Sequence, residues 1–137
     1  MGDDIDFAAP PIGQTDAPVI DRSWNLALTR KGKNMVNLVY GTNSSETINA
    51  LDGVTNGYDL IYGYGGNDSI YGLGGDDYIV GGTGADALNG GTGSDTASYF
   101  TSAAGIVASL AAGEGAGGDA EGDTYASIEN LVGSEYA

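Results

Sequence analysis

The sequence predicts an all-β domain, a right-handed parallel β-roll assembled from nine-residue steps, and three observations carry that prediction. From Gly63 to Ser98 the chain reads GYGGNDSIY, GLGGDDYIV, GGTGADALN, GGTGSDTAS, with glycine opening every step. Within those steps Gly66, Gly75, Gly84 and Gly93 hold the fourth position, and Asp68, Asp77, Asp86 and Asp95 hold the sixth. The eighth position is Ile70, Ile79, Leu88 or Ala97, a single aliphatic residue per step. A strand of the form x-U-x followed by a six-residue turn makes half a coil, so a full coil takes eighteen residues. Asp77 and Asp95 then stack on one edge and Asp68 and Asp86 on the other. Glycine in such turns lets backbone carbonyls crowd together, and carbonyls with carboxylates are the donors of a hard cation that takes six to eight oxygens. The pattern therefore points to calcium held between turns one coil apart.

The elements follow in order. Residues 1–21 are acidic and contain Pro10, Pro11 and Pro18, which reads as a flexible tail or linker. Residues 22–40 are the leading β segment: Trp24 to Leu28 alternates, Met35 to Tyr40 is β-prone, and the polar TRKGKN stretch between them suits a hairpin or two edge strands. Residues 41–98 are the repeats. Gly41 to Asn49 carries Glu46 where aspartate belongs and Ser44 where glycine belongs, so this first repeat is degenerate. Ala50 to Gly53 interrupt the register, and Val54 to Tyr62 restores it with Gly57, Asp59 and Ile61. Residues 99–137 continue the roll through GIVASL, a glycine-rich acidic loop from Ala111 to Gly122, and DTYASIENLVGS. Asn130-Leu131-Val132 echoes Asn37-Leu38-Val39, which suggests a module cut from a longer repetitive protein.

The pattern over Val54 to Ser98 resembles the RTX (repeats-in-toxin) family of secreted bacterial proteins. The resemblance implies a non-enzymatic structural module that binds several Ca2+ ions through Asp59, Asp68, Asp77, Asp86 and Asp95 and the turns of Gly57, Gly66, Gly75, Gly84 and Gly93. It further implies export by type I secretion, with folding on calcium outside the cell and the neighbouring domains of a parent protein as partners. Similar repeat modules attached to alginate epimerases imply the alternative, a carbohydrate-binding module for an acidic polysaccharide. In that case Arg22, Arg30, Lys31 and Lys33, which are all four basic residues of the chain, and outward tyrosines such as Tyr62, Tyr64, Tyr71 and Tyr78 would make the contact.

Composition narrows the field. The 137 residues hold 25 glycines and 19 acidic against 4 basic residues, for a net charge of -15. Such a chain repels itself and buries little apolar surface, so a cation that cancels stacked carboxylates is the expected stabilising element. The absence of Cys and His removes disulfides, thiolate nucleophiles, the usual zinc sites and a Ser-His-Asp triad. The acidic balance disfavours nucleic acid, and no apolar run is long enough for membrane insertion. Individual sites have competing readings. Glu46 either closes a further site with Asp68 or is a surface glutamate. Asp76, at a variable fifth position, reads as a solvated carboxylate. Asp123 and Asn130 could complete a site beyond the repeats. Gly113-x-Gly115-x-x-Gly118 lacks the flanking strand and helix of a dinucleotide loop.

Overall fold

A computed structural model describes residues 36–136. Its strands are β1 (Asn37–Tyr40), β2 (Thr47–Ile48), β3 (Asp59–Tyr62), β4 (Ser69–Tyr71), β5 (Tyr78–Val80), β6 (Ala87–Asn89), β7 (Thr96–Ser98), β8 (Val107–Ser109), β9 (Glu114–Ala116), β10 (Thr124–Ala126) and β11 (Asn130–Val132). They form two sheets, ordered β1-β3-β5-β7-β11 and β2-β4-β6-β10-β9-β8. Successive strands alternate between the sheets through β7, which is the winding of a parallel β-roll. The tail (1–21), the strand expected over Trp24 to Leu28 and the four basic residues lie outside the described residues.

Strands stay short because a glycine-led turn resumes after each inward residue. Leu60 pairs with Tyr78 and Tyr78 with Thr96 in one sheet, and Ser69 pairs with Ala87 in the other, each eighteen residues apart. The interrupting residues do not break the winding. Ala50–Asp52 form a 3-10 turn closed by a capping box, in which Asn49 accepts the Leu51 N–H and Asp52 accepts the Asn49 N–H. The added four residues lengthen that coil, so Asn37 pairs with Asp59 and Thr47 with Ser69 across 22 positions. Asn37–Tyr40 is thus the first strand of the roll itself, parallel to β3.

Two single-file rows of aliphatic residues make the interior. Val39, Ile61, Ile79 and Ala97 come from one sheet, and Ile48, Ile70 and Leu88 from the other. Ile61 and Ile79 in the first row and Ile70 in the second are fully buried. After β7 the winding departs from the nonapeptide. The β8–β9 hairpin is antiparallel, β9 pairs antiparallel with β10, and β10 and β11 then rejoin the parallel sheets against β6 and β7. Tyr99, Ala120 and Ile128 close the core at this end. The echo between β1 and β11 holds as strand on opposite edges of one sheet, but one place out of step: Asn37 pairs with Asp59, whereas Asn130 pairs with Thr96.

Candidate metal centre

Each turn places its sixth residue inward, and the consequence is a column of carboxylates on each edge of the roll. On one edge the backbone N–H of Asp59 donates to Asp77 Oδ1 at 2.9 Å, and that of Asp77 to Asp95 Oδ1 at 2.8 Å. On the other edge the Glu46 N–H donates to Asp68 Oδ1 and the Asp68 N–H to Asp86 Oδ1, both at 2.9 Å. Asp59, Asp68, Asp77, Asp86 and Asp95 are all buried, with exposures of 0 to 2 %. One oxygen of each is therefore committed to the neighbouring coil, which leaves the second oxygen to be accounted for.

In three of the central turns that second oxygen has no partner among the described residues. Oδ2 of Asp77, Asp86 and Asp95 is buried without a hydrogen bond among the described residues. A buried carboxylate oxygen left so is costly unless something positive meets it. Burial is also the main reason that the carboxyls of Asp77 and Asp86 are pushed up to about 7, against the lowering effect of the N–H bond each receives. Burial likewise raises Asp95.

Backbone carbonyls converge on the same places. A methyl group added to Gly72 would run into both Asp77 Oδ2 and the carbonyl oxygen of Gly90, the opening glycine one coil later. At Gly63 it would meet the Gly81 carbonyl and Asp68 Oδ2, and at Gly81 it would meet Asp86 Oδ2. Glycine thus keeps open a cradle bounded by a carboxylate of its own turn and a carbonyl of the next. The fourth-position glycines pack just as closely: Gly75 sits against the Gly57 carbonyl, Gly84 against that of Gly66, and Gly93 against that of Gly75. No three acidic side chains converge among the described residues. That suits a donor set of one carboxylate per turn completed by carbonyls, the chemistry of a hard divalent cation.

The N-terminal turns differ. At the second position of the central repeats stand Tyr64, Leu73, Gly82 and Gly91, all with positive φ. The two earlier repeats have Thr42 and Thr55 there, and the Thr55 N–H donates to Asp59 Oδ2 at 2.8 Å while the Thr42 N–H donates to Glu46 Oε1. Asn37 Nδ2 adds a bond to Asp59 Oδ1 at 2.5 Å. Each of these two carboxylates thus receives an N–H from its own turn, and Asp59 takes a further bond from the coil before. Asp76 is exposed and accepts the Ser94 N–H, stitching two turns together. At the far end Asp123 takes the place of the next aspartate, accepting the Asp86 N–H at 2.7 Å, and its other oxygen accepts the Tyr99 hydroxyl at 2.6 Å. Burial, followed by the two bonds that oppose it, sets the Asp123 carboxyl at about 6. Sequence reasoning missed this role of Tyr99; the signal available was a tyrosine directly after the last regular strand.

The family comparison bears on this geometry. The model of the RTX calcium-binding nonapeptide repeat (4 copies) matches residues 54–79 and 62–97. This stretch belongs to the RTX calcium-binding repeat family. No curated protein and no solved structure matches the chain. RTX repeats bind Ca2+ at several sites, so the chain carries a calcium-binding structural module, and the repeat itself is structural rather than catalytic. Such repeats are typical of secreted bacterial proteins. Among the described residues no helix is long and apolar enough to cross a membrane.

Proposed function

We propose that calcium binding and folding of this RTX module are one event, and that the module works outside the cell as a non-catalytic part of a larger bacterial protein exported by type I secretion. The observation that carries the reading is the set of buried, unpartnered Oδ2 atoms of Asp77, Asp86 and Asp95 facing glycine cradles. Asp68, Asp77, Asp86 and Asp95 are the proposed carboxylate ligands, with turn carbonyls about Gly66, Gly75, Gly84 and Gly93 as the other donors. Asp59 and Glu46, with the Gly57 turn, are assigned weaker sites, because a cation there competes with the threonine N–H bonds. When bound, calcium supplies the charge that ionised, buried carboxylates require. The chain's own contribution is to hold those oxygens in register. Far-UV circular dichroism during a calcium titration of chelator-stripped protein tests the proposal. A cooperative gain of β signal between micromolar and millimolar calcium is expected, and a β spectrum indifferent to chelator overturns it.

A second reading is favoured by one surface feature. Tyr40, Tyr62 and Tyr64 stack with ring centroids 5.9 to 6.3 Å apart, beside a groove of about 440 Å³ that also reaches Thr83 and Asp119. Tyr64 is half exposed and holds a positive φ that a side chain disfavours. Stacked aromatic faces suit sugar rings, which supports a role as a carbohydrate-binding module accessory to a polysaccharide-modifying enzyme. Arg22, Arg30, Lys31 and Lys33 would serve an acidic polymer. Titrating alginate oligomers into calcium-loaded protein should shift the Tyr40, Tyr62 and Tyr64 ring resonances; unmoved resonances and no heat of binding reject it.

A further inference from the structure

The nonapeptide pattern ends at Ser98, so the last repeat turn, Gly90 to Asp95, has no following repeat to complete it. The fold supplies a substitute. β10 pairs with β6 across 37 positions, Thr124 with Ala87, whereas β11 pairs with β7 across 34, Asn130 with Thr96. The connection between β10 and β11 is therefore three residues shorter than the turn it covers: Ser127, Ile128 and Glu129 stand over the six residues Gly90 to Asp95. Ile128 turns inward and is buried in the core, which anchors the short turn. Ser127 takes a left-handed conformation, φ 50°.

That conformation coincides with a carbonyl in the right place. A methyl group added to Gly90 would collide with the Ser127 carbonyl oxygen and with Asp95 Oδ2, as one added to Gly72 would collide with the Gly90 carbonyl and Asp77 Oδ2. Ser127 thus stands where the opening glycine of a next repeat would stand. Glu129 takes the place of that repeat's aspartate, since its Oε2 accepts the Asp95 N–H at 2.8 Å. The Glu129 and Asn130 N–H groups both donate to the Asp95 carbonyl, at 3.1 and 2.9 Å, which ties the short turn to the repeat below. Asp95 itself is fully buried, and its Oδ2 has no hydrogen-bond partner among the described residues.

We propose that Ser127 and Glu129 complete a calcium site on the last repeat, with Asp95 Oδ2, the Ser127 carbonyl and the Glu129 carboxylate as donors. Ser127 and Glu129 lie beyond the residues that the family model matches, and the site rests on the calcium reading of the repeats. Glutamate suits the place because its longer side chain spans the gap left by a turn three residues short. Asn130, by contrast, is spent on Ser94 Oγ at 3.0 Å and the Asp95 carbonyl at 3.2 Å.

Native mass spectrometry and equilibrium dialysis on the whole chain count the ions. Glu129→Gln keeps the acceptor for the Asp95 N–H while removing the charge. It should bind one ion fewer than wild type, or bind its weakest ion at least tenfold less tightly, with an unchanged circular dichroism spectrum in saturating calcium. Glu135→Gln, at an exposed position beyond β11, should match wild type. An unchanged ion count and affinity for Glu129→Gln in a protein that binds calcium overturns this site and leaves the repeat sites standing. Wild type that binds no calcium overturns both. If Glu129→Gln fails to fold, the amide resonances of Gly90, Ser127 and Glu129 in wild type decide. They should shift again as calcium is raised beyond the concentration that folds the repeats, and not when magnesium is added instead, and amides that move no further over that range reject the site.

Discussion

Gly84→Ala is expected to leave the module unable to reach its native β content even in saturating calcium. The added methyl group would fall on the Gly66 carbonyl oxygen of the coil below, and backbone on both sides leaves no flexible atom to move aside. The φ of 128° at Gly84 is itself a conformation that L side chains avoid. The conformational part costs about 1 to 2 kcal/mol and forced overpacking typically about 1 to 3. A loss of about 4 kcal/mol is a large fraction of the stability of a small domain. Gly133→Ala is the matched control, because nothing lies within 4 Å of that position. Thermal melts of the two variants in calcium make the comparison, and equal melting temperatures would mean that the coils separate far more easily than this stacking implies.

The second large effect is an inversion of pH dependence by calcium. Burial holds the Asp77 and Asp86 carboxyls up at about 7 and Asp123 at about 6, and it raises Asp95 as well. In the unfolded chain the same groups ionise near 4. Between those limits the folded, calcium-free roll binds more protons than the unfolded chain, so its stability falls as pH rises. The contribution is fully present below about pH 4 and lost as pH passes about 7. Calcium requires the ionised form, so affinity should climb over the same window and binding should expel roughly two protons near pH 6, one each from Asp77 and Asp86. By circular dichroism the metal-free protein should retain more β signal at pH 4.5 than at pH 8, and denaturant melts in saturating calcium should reverse the order. A metal-free protein that grows more stable with rising pH would show that these carboxylates are not the strained groups.

The repeats were legible because one inward aliphatic residue and one inward carboxylate recur at a fixed spacing, so local sequence and long-range pairing say the same thing. Even the interruption at Ala50 to Gly53 was visible, although its capped 3-10 turn was not read in advance. Legibility fails where the period fails. That Thr42 and Thr55 would close their own turns depended on which way the N–H of a non-glycine second residue points. Glu129 is not legible from the period, because the turn before β11 is three residues short, and only the pairing of Asn130 with Thr96 sets it over Asp95. The marriage of Tyr99 to Asp123 spans 24 residues of loop and hairpin with no repeat to announce it.

The column of carboxylates also has a direction. Each one reaches back to the N–H of the coil before it: Asp77 to Asp59, Asp95 to Asp77 and Glu129 to Asp95. Within this column the carboxylate acceptor for a coil comes from the coil that follows it. Losing material from the C-terminal side strips the buried carboxylate acceptors from aspartate N–H groups that remain, whereas losing it from the N-terminal side leaves the column's remaining N–H groups capped. In a structure where each unit touches just its neighbours, that asymmetry makes trimming from the C-terminal side cost the column more than trimming from the N-terminal side.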